Sequence, residues 1–168
     1  MNSDGTGITR LTDSNYDDTW PCFSPDGTKI VFERRLLEEE KDWAAVFIIN
    51  VDGNNEQQLT DGSYLDQSPY FSPDGRKIVF QRRGTEEVGG AQVMVMKTDG
   101  TDLVNLTNNE TDQLAPVFSY DGTKIAYHSN MDGEGPDFNI CLMNSDGSGK
   151  TGLTSSGKNW NPSFAPSK

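Results

Sequence analysis

Apolar residues in this chain come in short runs set between Gly, Pro, Asp, Asn and Ser, and the runs follow two patterns. One alternates: in Lys77-Ile78-Val79-Phe80, Lys77 and Val79 fall on one side and Ile78 and Phe80 on the other, the two-residue period of a β-strand. The other is apolar almost throughout, as in Val46-Phe47-Ile48-Ile49, Val93-Met94-Val95-Met96 and Ile140-Cys141-Leu142-Met143, which suits a strand covered on both faces. Helical periodicity is absent except over Leu36-Leu37-Glu38-Glu39-Glu40-Lys41-Asp42-Trp43. That charged stretch reads as a solvated loop with room for one helical turn.

The punctuation repeats with the strands. Leu-Thr recurs at Leu11, Leu59, Leu106 and Leu153, in steps of 48, 47 and 47 positions. Pro-x-Phe recurs at Pro21, Pro69, Pro116 and Pro162, and Asp-Gly recurs after it (Asp26, Asp74, Asp121) and again before Leu-Thr (Asp4, Asp52, Asp99, Asp146). A repeat of this period is the mark of an array of small structural units. Taking the second unit, the expected strands are A at 66–72, B at 76–82 and C at 91–97, with D at 56–60 or its counterpart 103–107. Tight turns at Ser72-Pro73-Asp74-Gly75 and Thr98-Asp99-Gly100 lie between A and B and between C and D.

A four-stranded sheet of this size cannot bury two faces alone, whereas radial stacking of copies can. The fold class expected is therefore all-β, a β-propeller of four-stranded antiparallel blades with about three and a half blades in the chain. The repeats run approximately over 13–60, 61–107 and 108–154, flanked by strand D of a preceding blade at 6–12 and strand A of a following blade at 159–165. Such a chain leaves blade faces and strand edges open at both ends. Two completions stay open: a second copy in a two-fold dimer, or membership of a longer propeller.

The string Phe-Ser-Pro-Asp-Gly-x-Lys-Ile-Val-Phe, at Phe23–Phe32 and again at Phe71–Phe80, resembles the signature of TolB-like, WD-repeat-like propeller modules. A third copy at Phe118–Tyr127 is similar but carries Tyr120 in place of proline. The resemblance implies six or so blades in a complete ring, a scaffolding role and a place in the bacterial envelope, periplasmic or envelope-associated. It says little of activity, because one architecture hosts many functions.

Composition narrows the partners. A net charge of −12 opposes binding to phosphate backbones, so nucleic acid is not an expected partner, and no apolar run approaches the length of a transmembrane helix. Met1 is followed by Asn2-Ser3-Asp4-Gly5, which is not the basic and apolar start of a secretion signal. Cys22 and Cys141 fall at non-equivalent repeat positions and read as small buried apolar residues.

In a meander of this kind the A–B and C–D turns share one face and the B–C and D–A connections the other. The first is built of short Asp-Gly turns, and the second holds the variation in length and composition. Binding is expected on the second. The candidate residues there are Tyr16, Asp18, Trp43, Tyr64, Asp66, Gln113, Asn159 and Trp160, among further acidic side chains at Asp17, Glu38, Glu39, Glu40, Glu86, Glu87, Glu110, Asp112, Asp132 and Glu134. Arg34, Arg35, Arg82 and Arg83 start two of these loops and offset part of the acidity. Acidic and aromatic together suit a protein or peptide of basic character; the alternative is a carbohydrate or other small ligand stacked on Trp20, Trp43 or Trp160.

Three positions before each Pro stands Asp18, Asp66, Gln113 or Asn159, at the start of strand A. Such oxygens are a weak candidate for Ca²⁺, against the simpler reading that they cap the strand. No catalytic residues are expected. The sole histidine, His128, is placed just after strand B on the surface or bridging a loop, and no nucleophile or metal set accompanies it. Hydrolase or lyase chemistry is the least supported reading.

Overall fold

The structure is a computed structural model. It describes residues 1, 3–38, 41–84, 89–130, 137–155, 159 and 161–164, with the backbone alone at 36–38 and 41–42. Twelve strands are formed among them. They run as β1 (Asp17–Phe23), β2 (Lys29–Glu38), β3 (Lys41–Asn50) and β4 (Gln57–Gln58); β5 (Leu65–Phe71), β6 (Lys77–Arg83), β7 (Gln92–Lys97) and β8 (Val104–Asn105); and β9 (Gln113–Phe118), β10 (Lys124–Ser129), β11 (Asn139–Asn144) and β12 (Thr151–Gly152). Each set of four is an antiparallel meander, so the three sets are three blades of an open propeller. No helix is present among the described residues.

The blades stack through apolar clusters made by both faces of their middle strands. Val31, Val46 and Ile48 of blade 1 meet Phe71, Ile78, Phe80, Met94 and Met96 of blade 2. Val79, Val93 and Val95 of blade 2 then meet Phe118, Ile125, Tyr127, Cys141 and Met143 of blade 3. Strand β6 thus sends Ile78 and Phe80 one way and Val79 the other, and buries all three. At roughly 1.5–3 kcal/mol for each large side chain removed from water, these interfaces are the main source of cohesion.

Near the long-loop face, one or two backbone bonds tie the start of strand C of one blade to the chain entering the next. Ala44 N–H donates to Tyr64 O (3.3 Å), Gln113 N–H to Ala91 O (2.7 Å) and Asn159 N–H to Phe138 O (3.0 Å). On the other face the C–D turn of each blade presses on the Leu-Thr segment before it. A Cβ on Gly100 would stand 3.0 Å from Leu59 O and one on Gly147 3.0 Å from Leu106 O, and both glycines have φ above +80°. Only glycine meets both demands.

Several expectations change. The described residues of 36–43 are neither helical nor a free loop: β2 and β3 continue their ladder through Leu36↔Trp43, Leu37↔Asp42 and Glu38↔Lys41. Antiparallel pairing with β3 satisfies the backbone there even though β1 has already ended opposite Arg35. Segment 6–12 and the described residues of 159–165 form no ladder: a strand D pairs with C and a strand A with B, and neither segment meets such a strand among the described residues. Leu11 nevertheless packs on Ile30, Phe32, Ala45, Phe47 and Ile49, on the face of blade 1 turned away from blade 2. His128 lies inside β10 and is 3% exposed, because the ladder runs one residue past it.

A second feature has no counterpart in the strand pattern. Strands β1, β5 and β9 are each broken by a bulge just before Pro-x-Phe, where Trp20, Ser68 and Ala115 take φ of 52°, 53° and 46°, and Asn161, at the same repeat position outside any ladder, takes 51°. The register of β1, β5 and β9 shifts at these points.

Candidate functional site

The long-loop face is rimmed by ion pairs that lock its polar residues. Asp18 and Arg34 are cross-strand partners on β1 and β2, and the guanidinium donates to both carboxylate oxygens, Nε to Oδ1 at 2.6 Å and Nη2 to Oδ2 at 2.9 Å. Its remaining edge donates to Glu56 Oε1 (2.6 Å) and Oε2 (2.9 Å). The same guanidinium lies over the Phe32 and Phe47 rings, 5.3 and 4.5 Å from their centroids. Hydrogen bonding to Asp18 holds the Arg34 pKa above its ordinary value despite burial, with Glu56 adding to it.

Blade 2 repeats the arrangement one repeat later. Arg82 donates from Nε to Asp66 Oδ1 (2.6 Å) and from Nη2 to Oδ2 (2.8 Å), and covers the Tyr64 ring at 4.5 Å. Burial works against the Arg82 charge, but the bond and attraction to Asp66 outweigh it and raise the pKa. Blade 3 departs: Gln113 and Ser129 occupy the paired positions. Gln113 Nε2 donates to Thr111 Oγ1 (2.7 Å), while the Ser129 hydroxyl is buried without a hydrogen-bond partner among the described residues.

The structure therefore divides the expected site residues. Tyr16 and Tyr64 are exposed, at 46% and 36%. Trp43 is half-buried and pairs with Leu36 toward the closed end of the β2–β3 ladder. Asp66 and Gln113 are buried, and Asp18 is committed to Arg34. Asn159 is half-buried, with its N–H on Phe138 O. Trp160 lies outside the described residues, as do Glu39, Glu40, Glu86, Glu87, Asp132 and Glu134. The four oxygen-bearing positions at the starts of the A strands are not a free ligand set: Asp18 and Asp66 spend both oxygens on arginines. Among the described residues no three His, Cys, Asp or Glu side chains are placed to hold a metal ion.

Sequence reasoning assigned the arginines to loop starts; they sit within β2 and β6. The signal was there in the constant offset of 16 positions from Asp18 to Arg34 and from Asp66 to Arg82. A second set went unread. Glu33, Gln81 and His128 stand at one repeat position and each accepts the backbone N–H of the bulge residue in the following repeat. Ser68 N–H reaches Glu33 Oε2 (3.1 Å), Ala115 N–H reaches Gln81 Oε1 (2.8 Å) and Asn161 N–H reaches His128 Nδ1 (3.3 Å).

Along the axis the bulges of all four repeats wall an open groove of about 370 Å³, lined in part by Trp20, Pro69, Tyr70, Ala115 and Pro116. A neighbouring groove of about 460 Å³ is lined in part by Phe23, Tyr70, Tyr120 and Phe164. Trp20 (53%), Phe23 (66%) and Tyr120 (64%) are unusually exposed for aromatic residues, because the ring around this axis is open.

Residues 35–168 match the family model described as the TolB beta propeller domain. The chain belongs to this family. Among solved structures, this TolB-family propeller is similar to a protein described as a TolB from Agrobacterium tumefaciens, at 25% identity and a TM-score of 0.71, over 86% of this chain and 51% of that one. An oligogalacturonate lyase from Vibrio parahaemolyticus is similar in fold, at 14% identity and a TM-score of 0.65, over 84% of this chain and 43% of that one. So is a puromycin-hydrolyzing peptidase from Mycobacterium tuberculosis, at 20% identity and a TM-score of 0.66, over 84% and 22%. The chain spans about half the length of the TolB structure and less of the other two. No curated protein matches the sequence. The fold is shared by a TolB protein and by enzymes, and no helix among the described residues is long and apolar enough to cross a membrane.

Proposed function

We propose that this TolB-family propeller is a non-enzymatic scaffold that takes a protein or peptide partner of basic character on its long-loop face. The observation that carries the reading is the rim itself. Asp18–Arg34–Glu56 and Asp66–Arg82 hold the strand ends rigid, and from that frame project exposed Tyr16 and Tyr64 and the hairpin of β2 and β3. Rigid aromatic residues set among acidic side chains suit a partially desolvated polar interface. A role in the bacterial envelope follows from the family resemblance. The test is pull-down from envelope extracts and titration with basic peptides, comparing the parent with Tyr16→Ala/Tyr64→Ala. Loss of capture in the variant supports the reading, and capture that is unchanged overturns it.

The open axis supports a second part of the proposal, that the ring is completed by further blades, from a second copy or from a longer propeller. Exposed Phe23 and Tyr120 on the groove wall are the reason. Light scattering on this chain tests the second-copy form: twice the chain mass supports it and a stable monomer removes it.

One alternative keeps a specific observation. Trp20 and Tyr70 line the apolar groove, as in sites that stack sugars, so a carbohydrate ligand would bind there and not on the loop face. The net charge of −12 opposes an anionic sugar, leaving neutral glycans as the ligands to array.

A further inference from the structure

We propose that blade 3 is a proton-sensitive seat for the x-Pro-x-Phe segment of the repeat that follows it, with neutral His128 accepting the Asn161 backbone N–H as the element that a proton switches off. The inference goes beyond the binding role above and does not depend on it.

The geometry comes from the repeated acceptor. Ser68, Ala115 and Asn161 each turn the αL residue's N–H toward the preceding blade, where the strand-B side chain accepts it at a part-buried position. Gln81 is an amide and meets this demand at every pH. Glu33 retains a carbonyl acceptor whether ionised or protonated. His128 differs: Nδ1 accepts from Asn161 only while unprotonated, and an imidazolium would set N–H against N–H.

The surroundings reinforce the difference. His128 is 3% exposed and meets the Phe138 ring edge-on at 5.3 Å. Its cross-strand partners Leu114 and Ile140 carry no charge, nor do Asn159 and Asn161 on the seated segment. Asp112 acts on it in favour of the proton but is itself held by Arg83 at 2.9 Å. Burial is the larger influence and lowers the His128 pKa to about 4.

The sign follows by linkage. With the seat occupied the imidazole resists protonation; with the segment away it gains solvent and titrates near its ordinary value. Seating is therefore full above pH 6.5, weakens as pH falls from 6.5 towards 4, and loses nothing further below that. From pH 7 to pH 5 the seating constant falls by up to about 20-fold for full recovery of the ordinary pKa.

Amide hydrogen exchange on the full chain tests this, reading the protection of Asn161 relative to that of Ala115, whose acceptor Gln81 does not titrate. In the parent the ratio should fall by an order of magnitude between pH 7 and pH 5, and in His128→Gln, which installs the blade 2 acceptor, it should stay flat. A flat ratio in the parent, or an equal fall in the variant, overturns the proposal. If His128→Gln does not fold, NMR titration of the single imidazole in the parent decides: an apparent pKa well below 6.5 supports the seat, and one at or above 6.5 overturns it.

Discussion

Blades 1 and 2 on one side and blade 3 on the other solve one structural problem differently. At the start of strand A and the end of strand B, the first two place Asp18 with Arg34 and Asp66 with Arg82, in bidentate contact and largely out of solvent. Blade 3 has the same register but carries Gln113 and Ser129, both buried. The positions are thus defined by the backbone, and the chemistry filling them is ionic in two blades and neutral in the third, where the Ser129 hydroxyl has no hydrogen-bond partner among the described residues. The ionic version also anchors aromatic rings beneath the guanidinium, Phe32 and Phe47 in blade 1 and Tyr64 in blade 2. Blade 3 has no guanidinium to do so. The two arginine-bearing blades carry the rigid half of the long-loop rim, and blade 3 carries the proton-sensitive seat.

The contrast is broken most severely by stranding a charge. Asp66→Ala leaves Arg82 largely buried without its partner and should cost about 3–5 kcal/mol in denaturant unfolding. Ser129→Arg should cost several kcal/mol for the same reason, and adding Gln113→Asp should recover most of the loss. A double-mutant cycle with no coupling between 113 and 129 would mean that the shared register does not transfer the pair. A smaller effect is expected of the neutral acceptor: Gln81→Ala leaves the Ala115 N–H unmatched and should cost about 1–3 kcal/mol. Its signature is loss of protection at Ala115 beyond that at Ser68.

Smallest is the acid response of the opposite face. Asp26 and Asp121 accept hydrogen bonds from Ser24 and Ser119 first, then from the N–H and hydroxyl of Thr28 and Thr123, and these lower both pKa values to about 2. The turns are thereby supported above the ordinary carboxylate range, and that support is lost as pH falls from 3.8 through 2. Both groups are solvent-exposed, so the expected result is a shallow decline in thermal stability confined to that window. Asp26→Asn should flatten part of it.

The blade architecture was legible because strand period and turn chemistry are local. Lys77–Phe80 alternates whatever surrounds it, and Ser-x-Asp-Gly closes its turn through bonds within five residues, such as Lys29 N–H to Ser24 Oγ at 2.9 Å. The family string lay in the same segments. The site was less legible. Acidic residues on the loop face read as available surface, yet Asp66 is buried against an arginine 16 positions away. Leu36–Trp43 read as a loop because its charges suggested solvent, whereas pairing with a neighbouring strand decides whether such a segment is extended.

By itself the order of residues determined how many strands form, where their turns lie and that the units are copies, since each depends on groups a few positions apart. Tertiary structure alone decided which polar residues face solvent, that the residue before each Pro is bulged, and that Glu33, Gln81 and His128 serve the next repeat and not their own. Those outcomes rest on contacts 16 to 35 positions apart, where a donor and its acceptor are brought together only by pairing strands and stacking one blade on another.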